Sequence, residues 1–165
     1  MAPGRLPRPG GGRLHRVTEP DGIMARVGDG IAAGQRGERE LARSILGELW
    51  VRVDQGEGDA FHRCAIAHSL ADVQDDAEAE LTWDRRALAA ADDVTDEQLA
   101  AVGTMATVRG LYPSLHLNLA DVYARLGDPD RARDHVRLGR EALGALPDDG
   151  YRAMVRDALT RLAGD

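Results

Sequence analysis

The stretch LHLNLADVYARLGDPDRARDHVRLGREALGAL, Leu115 to Leu146, decides the fold. It reads as a helix, a tight turn at Gly127-Asp128-Pro129 and a second helix, because Gly and Pro punctuate helical periodicity. Met once, this is an αα-hairpin. Met again in the same chain, it is a repeat unit.

Working outward, Leu146-Pro147-Asp148-Asp149-Gly150 ends the hairpin, and a last helix follows over about 150–163. Met154, Val155, Ala158, Leu159 and Leu162 share one of its faces. On the other side, Tyr112-Pro113-Ser114 starts the hairpin, with Pro113 suited to a first helical turn. Residues 92–111 break the rhythm there. Thr95 to Gln98 is a capping-box pattern heading a short helix to about Val102, and Gly103 to Gly110 reads as a loop or a frayed turn.

Upstream, four more helices are expected. The first begins near Glu19-Pro20-Asp21 and carries Ile23, Met24, Val27 and Ile31 at helical spacing. The second is marked by Leu41, Ile45, Leu46, Leu49, Trp50 and Val53. The third follows Asp59, a plausible N-cap, with Ile66, Ala67, Leu70 and Val73 as its apolar stripe. Ala79, Leu81, Trp83, Ala87 and Leu88 belong to the fourth. Trp50 and Trp83 both sit on second helices of a pair, as fillers of the gaps between units.

The turns at Gly37, Gln74 and Gly127 share one logic: a turn residue, polar residues, then a small alanine at Ala42, Ala79 and Ala132. From Gly37 to Gln74 is 37 residues; from Gln74 to Gly127 is 53, and residues 92–111 supply most of the excess. A period in the mid-thirties built from two helices is the signature of an α-solenoid.

On these residues the chain resembles tetratricopeptide repeat (TPR) proteins. Ala120, Tyr123, Gly127, Ala132 and Pro147 match that family's small, aromatic, turn, small and terminal-proline positions. Ala67, Leu70 and Ala79 stand at the matching places of the second unit, and Gly30, Ala33 and Ala42 at those of the first, where Asp29 replaces the usual apolar residue. The segments Phe61-His62-Arg63-Cys64-Ala65 and Tyr112-Pro113-Ser114-Leu115-His116-Leu117-Asn118 are similar to stretches of small actinobacterial TPR-like proteins. The resemblance implies an all-α solenoid of three TPR-like hairpins with an insertion at 92–111 and a C-terminal capping helix. It further implies a concave groove lined by the first helix of each pair: Met24, Val27, Ile31 and Gln35; then Phe61, Cys64, His68, Ala71 and Asp72; then Ser114, Leu117, Asp121, Ala124 and Arg125. Asn118 stands where some TPR domains clamp a ligand's C-terminal carboxylate, but that clamp also needs basic groove residues, and Val27, Ile31, Cys64 and His68 occupy their places.

Composition narrows the function. Aromatics are only 4% of the 165 residues, so the core is built of Leu, Ala and Val. All 21 basic residues are arginine, which we read as codon bias of a GC-rich genome. The net charge is -7; residues 1–37 hold six Arg against Glu19, Asp21 and Asp29, leaving the body at -10. An acidic body argues against nucleic acid, which needs a basic footprint. No run approaches the ~20 apolar residues of a membrane helix, and the basic N-terminus lacks the apolar run of a secretory signal, so a cytoplasmic location is expected. Residues 1–18, rich in Pro, Gly and Arg, are expected to form a disordered basic tail ahead of a single domain over 19–165. A lone cysteine excludes an internal disulfide or a CxxC zinc site.

Candidate chemistry gathers in the second and third units. Cys64, His68 and Asp72 are spaced i, i+4, i+8 and share a helix face. His68 could serve as acid–base group and Cys64 as nucleophile, yet groups ~6 Å apart along one helix axis rarely make a triad. Pairing of His68 with Asp72 is the simpler reading. His62 points elsewhere, about 200° round from Cys64, against a three-ligand zinc site. His116 and Asn118 read as buried polar groups satisfied by the 92–111 segment. The arginines 131, 133, 137 and 140 interleave with Asp130, Asp134 and Glu141 as a solvated face. No catalytic residue, cofactor or metal is expected. The expected ligand-binding set is Cys64, His68, Asp72, Ser114, Asn118, Asp121 and Arg125, and the expected partner a peptide or protein segment in the groove. Two other readings remain: a small-molecule binder or minor enzyme whose pocket the 92–111 segment closes over Cys64, His68, Asp72, Tyr112 and Asp121, and a homodimer through an exposed helix face.

Overall fold

The computed structural model describes residues 22–164; the expected basic tail and the helix start near Glu19 lie outside them. Among the described residues the chain is all-helical, without strands, in the order α1 (Gly22–Gln35), α2 (Arg39–Asp54), α3 (Ala60–Asp72), α4 (Ala77–Ala91), α5 (Asp96–Ala101), α6 (Tyr112–Arg125), α7 (Pro129–Ala142) and α8 (Gly150–Ala163). Short 3-10 turns at Val108–Leu111 and Leu143–Ala145 precede α6 and follow α7. None of these helices is long and apolar enough to cross a membrane.

Neighbouring helices pack as antiparallel-type pairs, α1 on α2, α3 on α4 and α6 on α7, and the pairs join through α2–α3, α1–α3 and α4–α6 contacts. α8 closes the row against α6 and α7. The turns explain the pairing. α1 and α6 end alike: Gly37 (φ 82) and Gly127 (φ 77) take the left-handed conformation that costs glycine little. The next N–H then reaches back, Glu38 to the Ala33 carbonyl at 3.0 Å and Asp128 to the Tyr123 carbonyl at 2.9 Å. α3 has no such glycine; the Gln74 side chain donates to the Leu70 carbonyl at 2.8 Å instead. Asp76 and Asp128 then cap α4 and α7 through the amides of Ala79 (3.0 Å) and Arg131 (3.1 Å). Asp59 caps α3 as expected, and His62 closes its capping box.

Small residues lie where paired helices approach. Ala33, Ala42, Ala67, Ala87 and Ala120 are fully buried, and a Cβ on Gly30 would stand 2.7 Å from the Leu46 side chain. Larger side chains fill what remains: Val27, Leu46, Leu49, Val53, Ile66, Leu70 and Val73 form the core of the first three helices. Leu119, Val122, Val155 and Leu159 are buried at the other end. Trp50 and Trp83 meet edge to face with centroids 5.0 Å apart, and Arg86 lies over both rings. Arg39 and Arg43 tie α2 to the α3–α4 turn by ion pairs to Asp75, each at 2.7 Å; the Arg39 hydrogen bond is the largest cause of the lowered pKa of Asp75.

The segment between Ala91 and α6 differs from expectation in place more than in form. The Thr95–Gln98 capping box forms with both halves present. Val94 and Leu99 then plug the space between the first halves of α3 and α6, against Cys64 and Leu115. Tyr112 Oη donates to Asp92 Oδ1 at 2.7 Å, and the Val108 amide to Asp96 at 3.2 Å, which pin the segment there. It does not satisfy His116 or Asn118; those partners lie on α7, α3 and α4. Some apolar positions are reversed as well. Val27, expected in a groove, is buried, while Leu41 and Met154, expected on apolar faces, are about half exposed.

Candidate binding face

Helical spacing sets the polar residues of three helices against one another. On α3, His68 and Asp72 lie one turn apart; on α4, Glu80 and Asp84 do the same; on α6, Asn118, Asp121 and Arg125 follow at spacings of three and four. At the centre is Asn118. Its Nδ2 lies 3.3 Å from Asp72 Oδ1, 3.3 Å from Asp84 Oδ1 and 3.4 Å from His68 Nδ1. An amide nitrogen has two N–H donors, and here it faces two carboxylate oxygens and an imidazole nitrogen. Arg125 is spent on the rim, donating to Glu80 at 2.5 Å and to Asp121 at 2.8 Å.

Asp84 is the anomaly. Only 1% of it is exposed, and among the described residues its Oδ2 is the buried side-chain oxygen with no hydrogen-bond partner. Burial raises its pKa to about 7; the Asn118 bond works the other way, the negative charges of Glu80 and Asp72 raise it further, and Arg125 lowers it. A buried carboxyl without full hydrogen bonding is costly and calls for an explanation.

Two hollows open on this side of the molecule. One, of about 420 Å³, is lined by Asp72, Glu80, Leu117, Asn118 and Asp121, with Ala158, Arg161 and Leu162 from α8. The other, of about 250 Å³, is lined by Ile31, Gly34 and Gln35 of α1 with Ser69, Asp72 and Val73. Asp72 belongs to both, so α1, α3, α6 and α8 share one face. Residues 92–111 line neither hollow. They instead help to form a separate cavity of about 850 Å³ with Tyr112, His116, Leu138 and Glu141.

The expected site residues therefore divide. His68, Asp72, Asn118, Asp121 and Arg125 come together. Cys64 does not: it sits in the core with Ala67 and Leu115, and burial pushes its thiol up to about 12, so it is neither on the face nor a thiolate nucleophile. Ser114 donates to the Leu111 carbonyl at 3.2 Å within its own first turn and is absent from both hollows. His68 and Asp72 converge on Asn118, where a pairing of the two with each other was expected. Among the described residues no group of three or more His, Cys, Asp or Glu is arranged to hold a metal ion.

Searches of known proteins find no matching family model, no matching curated protein and no matching solved structure. The site thus has to be read from its own chemistry.

Glu80, Asp84 and Arg161 were not foreseen. A signal for Asp84 exists in the sequence: it precedes Ala87 and Ala91 at spacings of three and seven, on the side of α4 whose alanines are buried. An acid in line with buried alanines is a buried acid.

A second polar cluster lies on the other side of α6. His116 Nδ1 and His135 Nδ1 are 3.0 Å apart, and His135 stacks on Tyr123 with centroids 5.5 Å apart. Burial, then the neighbouring His135, lowers His116 to about 4; burial lowers His135 as well. Both are held neutral, one ring donating and the other accepting.

Proposed function

We propose that the chain is an α-solenoid of three TPR-like hairpins, α1–α2, α3–α4 and α6–α7, capped by α8, and that it binds a peptide segment of another protein along the face of α1, α3, α6 and α8. The observation that carries this reading is the pair of hollows sharing Asp72, set on the first helices of successive pairs. Solenoids of this kind use such faces for extended ligands. The face offers exposed or half-buried apolar side chains, Ile31, Leu117 and Leu162, beside fixed polar groups, the combination that gives a peptide both affinity and register.

A peptide-array screen of the full chain tests it. Hits on the array are expected to weaken by at least about tenfold in Leu117→Arg and Ile31→Glu, and to survive Arg137→Glu on the exposed side of α7. Hits that ignore the first two substitutions would remove the face from consideration.

A second reading has its own observation. The cavity of about 850 Å³ beside the 92–111 segment, with Thr107, Arg109, Tyr112, His116 and Glu141 around it, falls in the size range of small-molecule sites. A thermal-shift screen of metabolites, repeated in Arg109→Ala, separates this reading from the first.

A further inference from the structure

We infer that the cluster of Asp72, Asp84, Asn118 and Asp121 is the seat for a basic side chain, a lysine ammonium or arginine guanidinium, carried by the bound peptide segment.

The inference rests on the face being the peptide site, and on a count of donors. Three carboxylates, Asp72, Glu80 and Asp121, line one hollow, and a fourth, the buried Asp84, lies against Asn118 of its wall. Against them are Arg125, already shared between Glu80 and Asp121, and the exposed Arg161 on the far wall. At the centre a single amide NH2 is shared between the Asp72 and Asp84 carboxylates at 3.3 Å, with the His68 ring nitrogen at 3.4 Å, long for such bonds. Among the described residues nothing donates a hydrogen bond to Asp84 Oδ2. Asp84 Oδ1 lies 3.3 Å from Asn118 Nδ2, and Asn118 lines the hollow, so the amide has to swing aside for a group arriving from the hollow to reach the carboxyl.

What is missing is hydrogen-bond donors with positive charge. An ammonium brings three donors and a guanidinium five, neither brings an acceptor, and both suit oxygens that are poorly solvated. A neutral polar group would add acceptors to a site already rich in them. An anion would meet three carboxylates in the lining, with Asp84 behind Asn118, against Arg161 alone on the other wall. The apolar wall of Leu117, Ala158 and Leu162 suits the methylene stem that leads a basic head group inward.

Binding of the cation favours the ionised carboxyl. The groups facing Asp84 are Asn118 and Arg125 from α6, Glu80 on its own helix and Asp72 from α3. Near neutral pH the carboxyl is part-protonated, so the arriving ammonium displaces a proton from Asp84 to solvent.

Butylammonium chloride is the probe, with n-butanol as its neutral isostere, followed through the Asn118 side-chain NH2 resonances of the full chain. Saturable binding in the millimolar range is the expectation for so small a ligand, with proton release that diminishes above about pH 8. Asp84→Asn, which keeps shape and fold, is expected to weaken it at least about tenfold, and n-butanol is expected not to bind. Absence of saturation at about 50 mM, or equal affinity in Asp84→Asn, overturns the inference and leaves Asp84 bonded to no more than a buried water. Array peptides distinguish the two levels. Hits that keep their affinity when each Lys or Arg is replaced by norleucine sink the cation seat while the peptide face stands. Asp84-dependent butylammonium binding without any peptide hit sinks the peptide source and leaves a site for a free alkylamine.

Discussion

α6 carries two polar clusters on opposite sides, built about two residues and 200° apart. His116 and His135 form a closed pair: two neutral rings, one donor and one acceptor across 3.0 Å, with Tyr123 stacked behind. Asn118 sits in an open one, where acceptors outnumber donors and Asp84 Oδ2 is left over. Both clusters hold perturbed groups, so a shifted pKa does not tell structure from function. The balance of donors and acceptors does: a cluster that closes on itself holds helices together, and one that does not is complete only with something added.

The largest test breaks the open cluster further. Asn118→Asp removes the amide and places a fifth carboxylate among Asp72, Asp84, Glu80 and Asp121. At about pH 8 this variant is expected to lose about 3 kcal/mol in urea unfolding, the cost of an uncompensated buried charge. The loss shrinks toward about pH 4, where the carboxyls protonate. Equal losses at both pH values would mean that lost packing, not charge, is what Asn118 prevents.

Next comes Asp84→Asn. The folded-state pKa of Asp84 is raised from 3.8 to about 7. Its contribution is therefore fully present below 3.8 and is lost as pH rises through about 7, because the folded chain keeps a proton the unfolded chain has released. The variant should match the wild type near pH 4 and exceed it by about 2 kcal/mol near pH 8. A stability gain on removing a natural side chain is the expected mark of a residue kept for binding.

The two clusters were unequally legible in the sequence. Helix boundaries followed from capping residues and glycines, since Asp59, Thr95 and Gly127 act within a few residues of themselves. His68, Asp72, Asn118, Asp121 and Arg125 could be placed on one face by helical spacing and the hairpin register. Asp84 could not, because the expected groove is lined by the first helix of each pair, and the burial of Asp84 depends on how closely α4 meets α6. Cys64 was misplaced for a related reason. Its spacing with His68 and Asp72 is right, but Leu99 and Val94 arrive from about thirty residues downstream and bury it. The His116–His135 pair joins two helices across a turn, and no local pattern links Nδ1 to Nδ1.

The closed cluster gives the opposite pH response. With His116 lowered from 6.5 to about 4, the pair costs nothing above 6.5, and stability falls as pH drops from 6.5 toward 4, where the unfolded chain binds protons the fold refuses. His116→Gln/His135→Gln is expected to hold its stability within about 1 kcal/mol at neutral pH and to gain about 2 kcal/mol over the wild type near pH 4.5 in thermal or urea unfolding. A variant with an unchanged acid limb would assign that limb to carboxylates elsewhere.

The smallest expected change in stability comes from the rim of the open cluster. Arg125 bridges Glu80 and Asp121 while itself 44% exposed, so Arg125→Met should cost less than about 1 kcal/mol, as exposed ion pairs do. For binding the consequence runs the other way. Glu80 and Asp121 lose their shared cation, and the hollow gains one uncompensated negative charge. Butylammonium should then bind a few times more tightly at low salt, with the gain fading at about 0.5 M salt as the rim charges are screened. Weaker binding in Arg125→Met would instead make that arginine a holder of the site's shape, because removing a competing positive charge cannot by itself repel an ammonium ion.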